Sequence, residues 1–238
     1  MGEPERPEEN PLLWQFLKHV AMGPALRVLG RPFAEGVDNI PETGGVILAS
    51  NHLAVVDSFY LGLMTKRPIC YLAKQEYFEG KGTRGAVVRW AFTNLNQIPV
   101  DRADGEQADA SLKAAARVVE EGRVWGVYPE GTRSPDGRLY KGRTGVARVA
   151  ALTGAPVVPV AMIGTREAHP PGHRFVRFHK VGMRFGEPMQ FADTGKEPAR
   201  EELRAFTDQV MKELQRLGGQ EYADEYAPRS THKRGVFG

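Results

Sequence analysis

Short apolar runs of four to six residues alternate with longer amphipathic segments along the middle of the chain, and this alternation limits the fold more than any other feature. A buried strand reads as a continuous apolar run, whereas a surface helix repeats its apolar residues every three or four positions. Strands that alternate with helices build a largely parallel sheet with helices on its faces. The sequence therefore predicts an α/β fold, with a mostly parallel or mixed central sheet flanked by helices. The predicted strands are VILAS (46–50), ICYLA (69–73), QIPV (97–100), VWGVY (124–128) and VVPVAM (157–162).

The helical patterns lie between and after these strands. They cover 58–65, 83–92, 106–121, 145–152 and 197–217. The segments FVRFHK (175–180) and VGMRFG (181–186) fit a terminal hairpin or additional strands. No internal repeat or low-complexity linker divides the chain, so 31–217 is predicted to be one domain.

The two ends of the chain differ from its middle. The first ten residues are acidic, unlike the start of a signal peptide. Segment 11–30 has apolar residues at helical spacing, but Lys18 interrupts the pattern and Gly23 with Pro24 ends it, so we expect no membrane-spanning helix. An amphipathic helix lying in a membrane surface and a helix packed on its own domain fit this pattern equally well. Segment 218–238 has few aliphatic residues and a basic end, which predicts a loosely ordered tail.

The charge of the chain limits the kinds of partner it can bind, and its cysteine content indicates a compartment. The 238 residues include 32 Lys and Arg against 29 Asp and Glu, a net charge of +3. This balance falls short of the dense basic face that duplex binding requires, so we expect no nucleic-acid partner, whereas anionic small molecules or an anionic membrane surface fit. Cys70, the only cysteine, lies in an apolar run and is predicted to fill the core, which suits a reducing compartment. No cysteine and histidine cluster predicts a zinc site.

Polar residues follow three of the predicted strands at the point where each strand ends. The clusters are NHLAVVD (51–57), Asp101 with Arg102, and PEGTRS (129–134). Parallel strands end at the same edge of a sheet, which is where open α/β sheets bind ligands. We therefore expect the three clusters to form one site.

His52 and Asp57 are the candidates for proton transfer within that site. Five residues correspond to about 500° of helical rotation, so the two side chains cannot face each other on one helix and must span a loop and a helix start. An aspartate in that place can orient the imidazole and stabilise its charged form, as the acid of a catalytic triad does. For the spacing alone, a surface histidine with an aspartate at a helix N-terminus is the commoner alternative. The two other clusters favour the catalytic role.

The sequence offers no nucleophile, because it has no G-x-S-x-G turn and its cysteine lies in a core-like run. A covalent acyl-enzyme is therefore disfavoured, and a His/Asp pair alone suits activation of a substrate hydroxyl. Arg102 and Arg133 end two strands and can each bind phosphate through two parallel hydrogen bonds. Lys141 and Arg143 precede a predicted helix and offer a second anion site. Each cation alone is more often a solvated surface charge, but together around His52 they predict a site for a phosphorylated alcohol.

One glycine-rich segment, GKGTRG (80–85), matches the G-x-G-x-x-G pattern of dinucleotide sites, with Asp101 about twenty residues later. KQEYFE separates it from the preceding predicted strand, which removes the tight strand-to-glycine turn that such sites use. A nicotinamide-dependent oxidoreductase is therefore a second hypothesis, which NADH binding would support.

The chain resembles the glycerolipid acyltransferases in four blocks that occur in order. NHLAVVD (51–57) resembles the block N-H-x-x-x-x-D, and IPVDR (98–102) resembles the second block. YPEGTRS (128–134) is similar to F-P-E-G-T-R-S, with Tyr128 where phenylalanine is common, and VVPVAM (157–162) is similar to the proline-bearing fourth block. The resemblance covers about 32–217.

The resemblance implies a role for each matched residue. His52 is expected to be the general base and Asp57 its partner, and Pro159 is expected to form a wall of the acyl or acceptor pocket. The residues implied to hold the acceptor and its phosphate are Arg102, Glu130, Gly131, Thr132 and Arg133. KGRTGVAR (141–148) departs from the family pattern, so phosphate roles for Lys141 and Arg143 rest on their chemistry alone.

The implied reaction moves a fatty acyl group from an acyl-CoA or acyl-carrier-protein thioester to a hydroxyl of a glycerophosphate. The expected acceptor is 1-acylglycerol-3-phosphate, giving phosphatidic acid, and glycerol 3-phosphate or another lysolipid is the alternative. The resemblance implies no metal and no cofactor, with acyl-CoA as co-substrate. It also implies an N-terminal helical pair on a membrane surface, so we expect a peripheral protein at the cytoplasmic face. A non-catalytic membrane-binding module is the alternative of another class, and it would need neither His52 nor Asp57.

Overall fold

The structure, a computed structural model, describes residues 15–74, 97–100, 105–173, 175–192 and 195–228. The strands are β1 (Phe33–Glu35), β2 (Val46–Ser50), β3 (Ile69–Lys74), β4 (Gln97–Val100), β5 (Val124–Val127), β6 (Leu139–Tyr140), β7 (Val157–Ile163), β8 (Gly182–Phe185) and β9 (Tyr222–Ala223). The helices are α1 (Gly23–Gly30), α2 (Asp57–Met64), α3 (Gly105–Glu120), α4 (Gly145–Thr153), α5 (Thr165–Ala168) and α6 (Arg200–Gly218). The α/β class is confirmed, and each of the five predicted strands is present.

Seven strands form the central sheet in the order β1-β8-β7-β2-β5-β3-β4, and β6 pairs with β9 in a separate two-stranded sheet. β2 pairs in parallel with β5 and β7, and β3 pairs in parallel with β4 and β5. β8 runs antiparallel to β7 and in parallel with β1. The carboxyl ends of these five parallel strands therefore share one edge, with the end of β2 near its middle, and the sequence expectation of a common edge is met.

Successive residues of β2 face opposite sides of the sheet, and each side buries its own core. Ile47 and Ala49 pack with residues of α3, α4 and α6, whereas Val46 and Leu48 pack with residues of α2. Full burial of an aliphatic side chain stabilises the fold by about 1.5 to 3 kcal/mol, so a strand that is buried on both faces is held firmly. The position of the residues that follow β2 is fixed by this packing. Cys70 is fully buried in β3, as predicted.

Two expectations about the later part of the chain are wrong. Segment 175–180 is not a strand, because its backbone amides bond elsewhere: Arg177 donates to the Ala168 carbonyl (2.7 Å) and His179 to the Leu29 carbonyl (3.2 Å). The described part of the predicted loose tail is ordered, since β9 pairs with β6, and Ala223 and Ala227 are buried against Tyr140. Residues 181–186 do contain a strand, β8.

The N-terminal segment forms a π-helical turn at Leu17–Ala21 and then α1. The break comes at Gly23 as predicted, and a Cβ there would lie 1.6 Å from the Lys18 carbonyl oxygen, so only glycine fits. Among the residues described, no helix combines the length and apolar character needed to cross a membrane. The predicted helix at 83–92 and the glycine segment at 80–85 lie outside the described residues.

Candidate active site

The loop between β2 and α2 holds His52 against Asp57, the first residue of α2. The distance between His52 Nδ1 and Asp57 Oδ2 is 2.9 Å, and the same oxygen accepts the backbone N–H groups of Leu53 (2.7 Å) and Ala54 (2.9 Å). The Asp57 side chain is fully buried, and that of His52 is 18% exposed. The loop thus wraps around one carboxylate oxygen, which places the pair across a loop and a helix start, as the spacing predicted.

The hydrogen bonds to Asp57 determine the tautomer of His52. A carboxylate oxygen that already accepts two N–H groups is an acceptor for a third donor, so Nδ1 of His52 carries the proton. In the described part of the chain, Nε2 has no hydrogen-bond partner, and its lone pair is open to a substrate. The amides of Leu53 and Ala54 are occupied by Asp57, so they are not available to stabilise an oxyanion.

Tyr128 fixes the plane of the His52 ring. The two rings are stacked with centroids 3.8 Å apart and an angle of 12° between their planes, and the Tyr71 ring is nearly parallel to that of Tyr128, with centroids 5.8 Å apart. The Tyr128 hydroxyl is 2.7 Å from Oγ of Ser58 on α2. Burial raises the pKa of this hydroxyl well above its usual value, so it stays protonated. Asp57 and Tyr128 therefore constrain the imidazole from its edge and from its face.

Glu130 connects the two loops that form the site. Its side chain is 1% exposed, Oε1 accepts the His52 backbone N–H, and Oε2 accepts the Tyr140 backbone N–H, each at 2.9 Å. Burial raises the pKa of this carboxyl to about 7, and the hydrogen bonds from Tyr140 and His52 oppose that rise. Because both oxygens are bonded to backbone, this position fits a supporting role for the His52 loop better than the predicted contact with an acceptor.

The segment 129–134 is bonded to the His52 loop at Glu130 and at Ser134. Ser134 donates its backbone N–H to the His52 carbonyl at 2.8 Å, and Arg166 of α5 donates to the carbonyls of Ser134 and Pro135. Gly131 has φ +75°, a left-handed conformation that favours glycine. Thr132 beside it is half-buried. The predicted convergence of the first and third polar clusters is therefore observed.

The predicted anion-binding residues divide into three groups. Arg133 and Arg143 are exposed, and Arg143 lies beside Gly131, where a Cβ would come within 3.0 Å of the Arg143 Nε. Lys141 is instead paired with Asp224 of the C-terminal segment at 2.9 Å, because that segment folds back beside β6. Arg102 lies outside the described residues.

Pro159 lies within β7, buried and paired with Ala49 of β2. Its carbonyl accepts the Gly186 N–H at 2.8 Å. A proline has no N–H for a ladder, and the β7–β8 ladder is regular only from Val160 onward. This position is inside the sheet, and its role in a pocket wall stays a prediction.

Several residues that shape the site were not predicted. Asn51 bonds the backbone of Met162 through both its amide nitrogen (3.0 Å) and its oxygen (2.6 Å), which ties the end of β2 to β7. Tyr128 and Ser58 support His52 from the side. Asn51 and Tyr128 both lie inside the blocks quoted from the sequence, so their position beside the matched residues was a usable signal.

Comparisons with known proteins agree with this geometry. The family model described as "Acyltransferase" matches residues 31–163. The chain is similar to the 1-acyl-sn-glycerol-3-phosphate acyltransferase of Bacillus subtilis, 29% identical over 184 residues that cover 76% of this chain and 84% of that protein. A chloroplastic 1-acyl-sn-glycerol-3-phosphate acyltransferase of Brassica napus is 31% identical over 61% of this chain, but the match spans only 41% of that protein.

A crystal structure shows the same fold. The 1-acyl-sn-glycerophosphate (LPA) acyltransferase of Thermotoga maritima superimposes with a TM-score of 0.67 at 25% identity, covering 87% of this chain and 80% of that one.

Proposed function

The chain belongs to the acyltransferase family, and on that premise we propose that it moves a fatty acyl group from a thioester donor to the free hydroxyl of 1-acyl-sn-glycerol-3-phosphate. The product would be phosphatidic acid, a precursor in phospholipid biosynthesis. The observation that carries the proposal is the position of the His52 imidazole. The buried Asp57 carboxylate orients this ring, Tyr128 stacks on it, and the neighbouring loop presents Arg133. The names of the similar proteins support the choice of acceptor.

In the proposed reaction, Nε2 of His52 takes the proton of the acceptor hydroxyl as that oxygen attacks the thioester carbonyl. The tetrahedral intermediate then breaks its C–S bond, and the imidazolium returns the proton to the departing thiolate. The buried Asp57 carboxylate stabilises the imidazolium during the step. General-base catalysis of this kind contributes about 10² to 10⁴ in rate.

The proposal includes no acyl-enzyme. Cys70 is fully buried within β3, and the Ser58 hydroxyl is bonded to Tyr128. Among the described residues, no serine or cysteine is hydrogen-bonded to the His52 ring. The acyl thioester is therefore a co-substrate, and the proposed chemistry needs no metal or prosthetic group.

Phosphate recognition is proposed for the cations near the 129–134 segment. Arg133 and Arg143 are exposed, and a guanidinium can bind phosphate through two parallel hydrogen bonds. Arg102 follows β4, whose carboxyl end is on the same edge, so it is proposed as a further ligand. Lys141 is already paired with Asp224 and would have to exchange that partner.

A peripheral place at the cytoplasmic face of a membrane is also proposed. The acceptor is a lipid, and the N-terminal helical segment carries exposed Phe16, Val20 and Val28. An amphipathic segment of this kind lies in the interface, with its apolar side chains between the headgroups.

The experiment uses the full chain with a long-chain acyl-CoA, and it measures release of free CoA together with the mass of the lipid product. We expect release that depends on 1-acyl-sn-glycerol-3-phosphate and yields phosphatidic acid. Glycerol 3-phosphate, a choline lysolipid and acyl-carrier-protein donors are tested in parallel. Turnover with glycerol 3-phosphate only would replace the acceptor, and no turnover across the whole set would overturn the proposal in favour of a binding module.

Arg133→Ala tests the acceptor side. Loss of one charge-assisted contact costs about 1.5 to 3 kcal/mol, so the KM for the acceptor should rise by about tenfold or more, while the KM for the donor stays the same. Arg148→Ala is the matched control, because Arg148 is exposed on α4 and pairs with Asp109. A changed donor KM with an unchanged acceptor KM would contradict the assignment.

A further inference from the structure

The segment 169–181, called here the basic aromatic segment, combines exposed phenylalanines with positive charge. From Ala168 to Gly186 the sequence has no acidic residue. Phe175 is 76% exposed and Phe178 is 73% exposed, the two highest values among the large hydrophobic residues described. Arg177 and Lys180 alternate with them and are also exposed. Exposed aromatic side chains next to cations are typical of interaction surfaces.

The two exposed phenylalanines belong to a segment that is attached to the rest of the fold. Val176, between them, packs against the core under α2. The backbone of the segment is tied to Ala168 on one side and to the end of α1 on the other, through hydrogen bonds from Arg177, His179 (3.2 Å to the Leu29 carbonyl) and Val181 (2.8 Å to the Gly30 carbonyl). The fold therefore holds Phe175 and Phe178 outward.

The segment is bonded to the end of α1, and the N-terminal helical segment also carries exposed apolar residues. Seven large hydrophobic residues are exposed in the described part of the chain, and five of them belong to these two neighbouring segments. The five are Phe16, Val20, Val28, Phe175 and Phe178. The N-terminal end of the basic aromatic segment follows α5, and Arg166 of α5 bonds the loop that carries Arg133. The segment thus connects the N-terminal helices with the candidate active site.

The chemistry of the segment matches an anionic bilayer. Aromatic rings are favourable at the level of the headgroups, and each Lys or Arg near an anionic membrane adds about 1 kcal/mol of attraction. Protein interfaces, by contrast, are depleted of lysine, whereas Lys180 here lies two residues from Phe178. We propose that the basic aromatic segment is a second membrane contact, which inserts Phe175 and Phe178 among the headgroups of anionic lipids.

This proposal extends the proposed membrane attachment to a second segment, and it does not depend on acyl transfer. It would place the candidate active site near the lipid surface, since the segment begins three residues after Arg166, which bonds the loop of Arg133. Binding to vesicles needs no turnover, so its failure can be separated from failure of the proposed function.

The direct test places a fluorescent label in the segment. Cys70 is the only cysteine and is fully buried, so a cysteine introduced by Phe178→Cys can be labelled selectively with an environment-sensitive dye. Leu152→Cys is the control, because Leu152 is also exposed but lies on α4. With phosphatidylcholine vesicles that contain phosphatidylglycerol, the label at 178 should shift to the blue and be quenched by chain-labelled lipids, and the label at 152 should not. A label at 178 that stays in water while the protein sediments with the vesicles would overturn the proposal.

A second variant measures the contribution to binding. Phe175→Ser with Phe178→Ser should lower partitioning of the full chain onto the anionic vesicles by about tenfold or more, and Leu152→Ser should leave it unchanged. Added salt and removal of phosphatidylglycerol should weaken wild-type binding, because both reduce the electrostatic attraction. Unchanged partitioning of the double variant, with wild-type thermal stability, would also overturn the proposal. The N-terminal helices would then be the sole proposed membrane contact.

Discussion

The site at the end of β2 and the surface formed by the N-terminal helices with the basic aromatic segment differ in opposite ways from an ordinary globular protein. At the site, charged side chains are buried: Asp57 is fully inaccessible and Glu130 nearly so. At the surface, large apolar side chains are exposed, as at Val28 and Phe178. Buried charges are costly unless they are hydrogen-bonded, and exposed apolar patches are rare unless they bind something. In the proposed reaction the first arrangement orients the base, and in the proposed membrane contact the second arrangement binds lipid.

The hydrogen-bond networks support the same contrast. Asp57 and Glu130 together accept five N–H groups, three at Asp57 and two at Glu130, and three of the five come from His52 and its neighbours Leu53 and Ala54 through backbone atoms. The exposed surface is tied to the fold by a few backbone bonds. We therefore expect substitutions at the site to change both stability and turnover, and substitutions at the surface to change stability little.

The largest effect is expected for Asp57→Asn. The amide can accept fewer of the three N–H groups and loses the charge that stabilises the imidazolium, so turnover should fall by at least about a hundredfold. Stability should fall by about 2 to 3 kcal/mol, because hydrogen bonds to a charged group are lost in a buried place. Enzyme kinetics and urea unfolding measure the two losses.

The control for that change is Asp38→Asn, since Asp38 is exposed and pairs only at the surface with Lys66. It should change stability by no more than about 0.5 kcal/mol. Wild-type turnover of the Asp57→Asn protein at equal folded fraction would show that the pair does not work as described.

Glu130 should make stability depend on pH. Burial raises the pKa of this carboxyl from its ordinary value of 4.5 to about 7, so the folded protein holds the proton more tightly than the unfolded chain does. Its contribution is therefore fully present below pH 4.5 and is lost as the pH rises to about 7, a change of roughly 3 kcal/mol. The free energy of unfolding of wild type, relative to that of Glu130→Gln, should decline across this interval.

The Glu130 prediction is tested by how the free energy of unfolding changes with pH and not by its value at one pH. The reason is that Glu130→Gln also loses a hydrogen bond to backbone. Parallel pH curves for the two proteins would mean that the Glu130 carboxyl has the same pKa in the folded and the unfolded chain, and the contrast between the two regions would then rest on Asp57 alone.

The smallest effect is expected at the exposed surface. Val28→Ala should change the free energy of unfolding by no more than about 0.5 kcal/mol, because Val28 is 61% exposed. The same change at Val160, which is fully buried in β7, should cost about 2 kcal/mol, since it removes core volume. Thermal or urea unfolding compares them, and equal losses would show that Val28 is packed as a core residue.

The sequence predicted the sheet well because a strand buried on both faces is a continuous apolar run, as in β2 and β7. The segments near the edge of the sheet were harder to predict. FVRFHK (175–180) has the composition of a strand, but its amides bond the end of α1 and Ala168, which no local pattern reveals. The C-terminal segment was similar: its pairing with β6 joins residues more than eighty positions apart.

The same limit applied to the site. The His52–Asp57 pair lies five residues apart, and its geometry follows from a loop and a helix start, so the sequence indicated it. The bond from the His52 amide to Glu130 spans 78 positions, and the stacking of Tyr128 on the imidazole depends on how β2 and β5 are registered. Such contacts are created by the fold, and this is why the sequence did not reveal the bond between Glu130 and the backbone of the His52 loop.

The central claim is that His52 acts as the base in an acceptor-dependent acyl transfer. The most direct measurement is release of CoA from a long-chain acyl-CoA, with and without 1-acyl-sn-glycerol-3-phosphate, on wild type and His52→Ala with matched thermal unfolding curves. We expect acceptor-dependent release for wild type and a loss of at least about a hundredfold for His52→Ala. Comparable acceptor-dependent release by the two folded proteins would contradict the account.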